Sequence, residues 1–309
     1  MESFFPERVV TVEERAAQLE LNPAQTHMFR RIQGLDRMHY DPDLSLHDLV
    51  LPPAREILSR TDPHSVRYLM YCQAFQGVAR TASDTAQEIK HLLGLERATA
   101  FTLTQQNCAI PLSAIDMAGA LLRAEATPGA QVLVVTGDKP RYRGAQLVGN
   151  TCMVADGAAS CLISLDGPGA VVRSFATAAK GEYSDGMSMT AERARASAEA
   201  RPHNLLEVMN EAVRRAGCTL DDLQMIIPTN PNTTYWVETI KDEELRGRFF
   251  VDNVPRYSHC LAADVFINYV TLREEKRFEP GRPAMFIGIG IGMTFSAMVF
   301  TPPPDTGVS

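Results

Sequence analysis

The sequence predicts an α/β fold, on three observations. Short apolar runs rich in β-branched residues alternate with longer stretches of helical period. A breaker cluster near the midpoint, Gly167-Pro168-Gly169, interrupts that alternation, which then resumes. The 309 residues are 45% hydrophobic and 22% charged, a globular balance with enough chain for two domains of ordinary size or one large one.

In order along the chain, Val66–Cys72, Thr99–Thr102, Gln131–Thr136 and Ser160–Leu165 read as strands, from their brevity and branched side chains. Thr81–Leu93 reads as an amphipathic helix, and so does the Ala-, Leu- and Ile-rich stretch from Ala109 to Glu125. After the breaker, Ala170–Phe175 reads as a strand. The polar segment Lys180–Arg201 reads as a surface insertion or cap. Leu205–Ala216 reads as a helix stopped by Gly217. Met225–Pro228 is a short buried strand, Ala262–Arg273 a helix, and Ala284–Gly290 with Ser296–Thr301 a closing strand pair. Both halves, 1–166 and 167–309, end in similar strand pairs, which is compatible with a duplicated architecture.

The bulk properties exclude several classes. A net charge of −7 argues against a nucleic-acid binder, which carries a basic stripe. No apolar run reaches the roughly 18 residues of a membrane span, and the start, Met1 to Val10, lacks the basic-then-apolar order of a secretory signal. Six cysteines lie scattered with no C-x-x-C pair, and the seven histidines are dispersed without ligand spacing. The expectation is a reduced, cytoplasmic protein with no metal and no membrane partner.

Three segments carry candidate chemistry. Cys108 lies between a strand and a helix, and Pro111 suits that helix's first turn. A helix N-terminus favours a thiolate and offers N–H groups to an oxyanion. A buried structural cysteine is the competing reading. Gly288-Ile289-Gly290-Ile291-Gly292 permits close backbone approach, but no helix follows it as in a dinucleotide site. The backbone N–H near Ile291 is an alternative half of an oxyanion hole. His259 precedes a helix with Asp264 one turn on. That pair reads either as an oriented base or as a surface histidine near a helix-start acid.

Together these pieces resemble the ketoacyl-synthase-III branch of the thiolase superfamily, over nearly the whole chain. Ala155–Ser160 (ADGAAS) is similar to the family's G-D-G-A-G-A, Ile226–Asn232 stands where it has P-H-Q-A-N, Arg256–Asp264 where it has Y-G-N-T-S-A-A-S, and Gly290–Phe295 resembles G-G-G-F-T-W. The resemblance implies a thiolase-like five-layered αβαβα fold of two similar halves. It further implies a homodimer, a nucleophile at Cys108 and an oxyanion hole from the Cys108 and Ile291 N–H groups. On the same resemblance, no permanently bound cofactor is expected, and the acyl donor is expected to be a coenzyme A or carrier-protein phosphopantetheine thioester.

The departures redirect the expected chemistry. The family's histidine falls on Thr229 and its asparagine on His259, so the two donors that hold a malonyl carbonyl during decarboxylation are gone. Thr229 and Asn232 become candidates for the substrate pocket. His259 with Asp264 completes a Cys–His–Asp arrangement, as in the atypical subgroup that includes the cervimycin-pathway acyltransferase and the daunorubicin starter-unit enzyme. The expected reaction is acyl transfer through Cys108 to a small-molecule alcohol or amine. Claisen condensation, starter-unit selection and a non-catalytic partner subunit are the alternatives. The family's coenzyme-A arginine falls on Thr234, which points to a carrier-bound donor. Nearby, Trp236 reads as packing. Lys139, Arg141 and Arg143 read as a solvated basic loop, or as the contact for a phosphate or acidic carrier. The family's additional N-terminal strand has no counterpart before FFPERVV, so the first sheet is expected to be shorter or the start truncated.

Overall fold

The computed structural model describes residues 1–75 and 84–303. The first half of the chain supplies strands β1 (Glu2–Phe4), β2 (Val66–Cys72), β3 (Thr99–Leu103), β4 (Gln131–Gly137) and β5 (Ala158–Ser164). They form one sheet in the order β1-β5-β4-β2-β3, with β2 parallel to β3 and β4, and β5 antiparallel to β4 and β1. The second half supplies β6 (Val171–Ala179), β7 (Met225–Pro228), β8 (Ala284–Gly290) and β9 (Thr294–Thr301), in the order β6-β9-β8-β7. Strand β7 runs parallel to β8, and β9 antiparallel to β8 and β6. The pattern β6-β9-β8-β7 thus repeats β1-β5-β4-β2, direction by direction.

The main helices packed on these sheets, among the described residues, are α1 (Leu46–Leu58), α2 (Thr85–Leu92), α3 (Ile110–Glu125), α4 (Ala191–Ala216), α5 (Thr233–Thr239) and α6 (Asp264–Glu274). The layering follows from side-chain alternation along the strands. On the outer face of the first sheet, Leu69, Tyr71, Leu133 and Val135 pack with Leu49 and Ile57 of α1 and Ile89 of α2. Their neighbours Met70, Val132 and Val134 point the other way, into a central layer with Leu112 and Ile115 of α3 and Phe266 of α6. Ile227, Phe286 and Met298 of the second sheet close that layer. Beyond it, Ile226, Met285, Phe295 and Val299 meet Leu205 and Met209 of α4 and Trp236 of α5. The result is the five-layered thiolase-like αβαβα fold expected from the sequence. Helix α6 lies in the middle layer, and every residue from Asp264 to Val270 is buried, so this span presents no solvent-facing side.

Several boundaries move. The helix expected over 81–93 is observed as Thr85–Leu92, capped by Asp84; its first three expected residues lie outside the described residues. The segment Lys180–Arg201 is a cap only as far as Thr190. From Ala191 it is the first part of α4, where Thr190 accepts the Arg193 N–H. Ala-rich helix formers make this turn helical although it is largely solvent-exposed and has no apolar stripe to betray it. Gly217 ends α4 with φ 72°, as its position predicts. Lys139 does not lie on a solvated loop: it is 5% exposed and ion-paired with buried Asp156. Only Arg141 and Arg143 remain at the surface. Trp236 packs as expected, tilted against Phe249, with its indole N–H donating to the Thr229 carbonyl at 3.1 Å. The N-terminal strand expected to lack a counterpart is present: β1 pairs with β5 as a three-residue edge strand, so the first sheet is not short of a strand.

Candidate active site

Cys108 sits in a 3-10 turn, Asn107–Ala109, that runs directly into α3 with Pro111 in the first turn. The turn is sharp. Gln105 and Asn107 both adopt left-handed backbone, φ 73° and 48°. Side chains and backbone hold it from three directions. The Ser113 hydroxyl donates to Gln106 Oε1 at 2.5 Å, the Asn107 amide donates to the Ala74 carbonyl at 2.8 Å, and the Ala109 N–H returns to the Gln106 carbonyl at 3.0 Å.

The fourth constraint comes from the glycine-rich strand. A β-carbon on Gly290 would lie 2.2 Å from the Gln106 carbonyl oxygen, and one on Gly288 would lie 2.7 Å from Ala109 Cα. The G-x-G pattern therefore serves close approach of β8 to the nucleophile turn. Ile291 follows in the connection to β9. Gly186 of the cap segment lies over it: a β-carbon there would stand 3.0 Å from Ile291 Cγ2.

His259 and Asp264 arrive from the start of α6. The His259 strand segment bridges to Val154, and its carbonyl accepts the Ala155 N–H at 2.9 Å, so the A-D-G-A-A-S segment fixes its height. The Ser258 hydroxyl adds a bond to the Met153 carbonyl at 2.7 Å. His259 Nε2 stands 3.4 Å from Cys108 Sγ, and His259 Nδ1 stands 2.5 Å from Asp264 Oδ2. The carboxylate also accepts the Asn230 N–H at 2.6 Å and the Cys260 N–H at 2.7 Å. Its position is over-determined, and so is the imidazole ring it holds. All three side chains are buried, at 3%, 5% and 0% exposure for Cys108, His259 and Asp264.

Burial dominates the electrostatics. It pushes the Cys108 thiol above its usual range, against the pull of neighbouring His259. For His259 burial works to lower the pKa, but the charges of Asp264 and Cys108 outweigh it and push it up to about 10. A dry thiol gives up its proton only to a base that is already in place. Asp264 makes His259 the partner that holds that proton, with Nδ1–H directed at the carboxylate and Nε2 facing sulfur. This is the arrangement of an activated nucleophile.

Of the residues singled out in the sequence, Cys108, His259 and Asp264 come together. Thr229 is buried beside them in sequence with Asn230, and its N–H donates to the Ile287 carbonyl at 3.2 Å. Asn232 is committed at both ends of its amide: it caps α5 by accepting the Tyr235 N–H at 2.7 Å and donates to the Thr151 carbonyl at 2.6 Å. Thr234 donates to the Ile32 carbonyl at 2.6 Å, so this position stitches the N-terminal segment to α5. An open cleft of about 690 Å³ runs along α4 and β6, lined by Lys180, His203, Glu207 and Arg214 among others, and none of the three central residues touches it. No three His, Cys, Asp or Glu side chains among the described residues are grouped to hold a metal ion.

Sequence reasoning missed the support behind Asp264. One turn along α6, Asn268 donates to the Pro228 carbonyl and to Asn230 Oδ1, both at 2.8 Å, and its oxygen accepts from Asn253 at 2.9 Å. The i, i+4 spacing of Asp264 and Asn268 on a buried helix is the one signal that marks the pair. Also missed were Asn107 and Asp138, which act through backbone groups distant in sequence.

Comparison with known proteins bears on the fold and on the C-terminal part of the chain. Residues 213–301 match the family described as 3-oxoacyl-[acyl-carrier-protein] synthase III C terminal. The beta-ketoacyl-[acyl-carrier-protein] synthase III of Rubrobacter xylanophilus is 28% identical over 94 residues, a match spanning 30% of this chain and only 29% of that enzyme. The enzyme of the same name from Roseiflexus sp. is 28% identical over 237 residues, covering 70% of this chain and 71% of the relative. Among solved structures, the acyltransferase ChlB3 superposes with a TM-score of 0.83 at 21% identity, over 98% of this chain and 97% of its own. That likeness establishes the thiolase-like fold.

Proposed function

We propose that this chain is an acyltransferase that moves an acyl group from a coenzyme A or carrier-protein thioester, through a Cys108 thioester, to an alcohol or amine. The observation that carries the reading is the line Cys108 Sγ, His259 Nε2, His259 Nδ1, Asp264 Oδ2. In the first step the Cys108 thiolate, paired with the protonated His259, attacks the thioester carbonyl through sulfur. The N–H groups of Cys108 and Ile291 receive the oxyanion, which collapses with loss of the donor thiol, protonated by His259. In the second step His259 takes the proton of the incoming hydroxyl or amine, and the acyl group passes to oxygen or nitrogen with Cys108 restored. Each step is a proton and acyl exchange with no external oxidant or reductant.

The position of Thr229 supports transfer over condensation. A decarboxylating site needs two donors on the malonyl carbonyl, and Thr229 lacks an imidazole. His259 in turn is occupied by Asp264 and the thiol. The name of ChlB3 as an acyltransferase points the same way. We also place the chain in a homodimer, for which β3, at the open edge of the first sheet and next to the nucleophile turn, offers a pairing strand.

Condensation is the second reading, favoured by the synthase name of the family matched at residues 213–301. One experiment separates the two. The acyl-enzyme is formed, freed of donor and offered alcohols, amines and a malonyl thioester in parallel. Ester or amide product without release of CO₂ supports transfer. CO₂ release dependent on Cys108, with no heteroatom product, assigns condensation instead.

A further inference from the structure

The nucleophile turn hangs on a side chain outside the triad. Asn107 holds left-handed backbone at φ 48°, a region that Asn tolerates better than most residues. Its amide is aimed away from sulfur, at the carbonyl of Ala74, 33 residues earlier, at 2.8 Å. Ala74 and Phe75 follow the end of β2. Their N–H groups both donate to the carboxylate of Asp138: Ala74 to its two oxygens at 3.0 and 3.1 Å, Phe75 at 3.3 Å. Asp138 follows the end of β4, the parallel neighbour of β2. A hydrogen-bonded brace therefore runs from the ends of β4 and β2 to the turn after β3, and ends one residue before Cys108.

Resting on the acyl-transfer reading above, we propose that Asn107, seated through Ala74 and Phe75 on Asp138, is a positioning residue that holds Cys108 Sγ in register with His259 and with the acyl carbon. Three features favour positioning over filling space. Asp138 is a buried carboxylate whose oxygens are spent on backbone N–H groups. Burial lifts its carboxyl to about 6, partly offset by those N–H groups, so a charge is kept in the interior at a cost that packing alone does not require. The far end of the brace meets a turn that is otherwise held by Ser113 of α3 and by the close approach of Gly288 and Gly290 of β8.

Asn107→Gly tests this, because glycine keeps the left-handed turn while removing the tether. Two readouts are taken on the full-length protein: the pH profile of Cys108 alkylation by iodoacetamide, which reports the Sγ–Nε2 pairing, and the rate constant and apparent KM for acylation by an acyl-pantetheine thioester. The alkylation profile of Asn107→Gly is expected to move toward that of His259→Ala. Acylation is expected to slow about 10- to 100-fold, the effect of an ångström-scale misplacement, with KM within about twofold. Asp138→Ala is expected to match it, and Asp138→Asn, which keeps an oxygen for the two N–H groups, to recover part of the rate. A wild-type alkylation profile in Asn107→Gly overturns the proposal. So does a slowed rate accompanied only by a lowered unfolding midpoint and an unmoved profile. If the wild-type protein takes no acyl group from any thioester, the functional reading fails, while the alkylation profile still decides the brace.

Discussion

Substituting Gly290 by alanine tests whether the glycine strand sets the nucleophile. Gly290 has no left-handed backbone to lose, so the effect is steric alone. The added methyl would lie 2.2 Å from the Gln106 oxygen and 3.0 Å from its carbonyl carbon. A relaxed carbon–oxygen contact is about 3.3 Å, so the two backbones must separate by about 1 Å. The Gln106 carbonyl also accepts the Ala109 N–H, so the turn moves as a unit and carries Cys108 with it. Overpacking of this kind costs about 1–3 kcal/mol of stability. An ångström of misplacement at the reacting atom costs about 100-fold in rate. Acylation of Cys108 followed by quenched-flow mass spectrometry, with urea unfolding alongside, measures both. Gly169→Ala is the control, since a β-carbon there meets nothing within 4 Å; its stability is expected within about 0.5 kcal/mol of wild type. A Gly290→Ala protein with wild-type acylation and stability would refute the close-approach argument.

Two further perturbations probe the buried charges. His259 is held to about 10 in the folded state against an ordinary 6.5, so the folded chain keeps a proton that the unfolded chain releases. The stability this contributes is complete below about 6.5 and is lost as pH rises toward 10; Asp264→Asn should flatten that slope in urea unfolding at a series of pH values, and an unaltered slope would count against the pairing. Lys139→Met strands Asp156 in the interior and is expected to cost about 3–5 kcal/mol, with Lys139→Met/Asp156→Leu recovering much of it; thermal unfolding of the two variants checks this, and equal losses in both would show that the pair is not coupled.

Much of this fold is legible in the sequence because its central strands are buried on both faces. Gln131–Gly137 alternates Val132 and Val134 inward with Leu133 and Val135 outward, and so reads as a continuous apolar run. His259 and Asp264 are legible through the resemblance of Arg256–Asp264 to the family's motif; their five-residue spacing alone leaves the pair open between an oriented base and a surface histidine. What escapes has physical causes. Helix α1 contains Pro52 and Pro53, which read as breakers although its flanks pack on the sheet. The first part of α4 is helical by propensity without burying a stripe. Lys139 looks like one of three basic loop residues until Asp156, 17 positions on, folds against it. Asn107 carries no local signal, because its partner Ala74 lies at the end of another strand.

The central claim is that Cys108 carries the acyl group and that His259 drives it there. Intact-protein mass spectrometry after brief exposure to a panel of acyl thioesters measures this most directly. The wild-type protein should gain the mass of one acyl group. Cys108→Ala should gain none, and His259→Ala should gain it about 100- to 10,000-fold more slowly. An adduct that persists in Cys108→Ala, or one that forms at the wild-type rate without His259, would contradict the account.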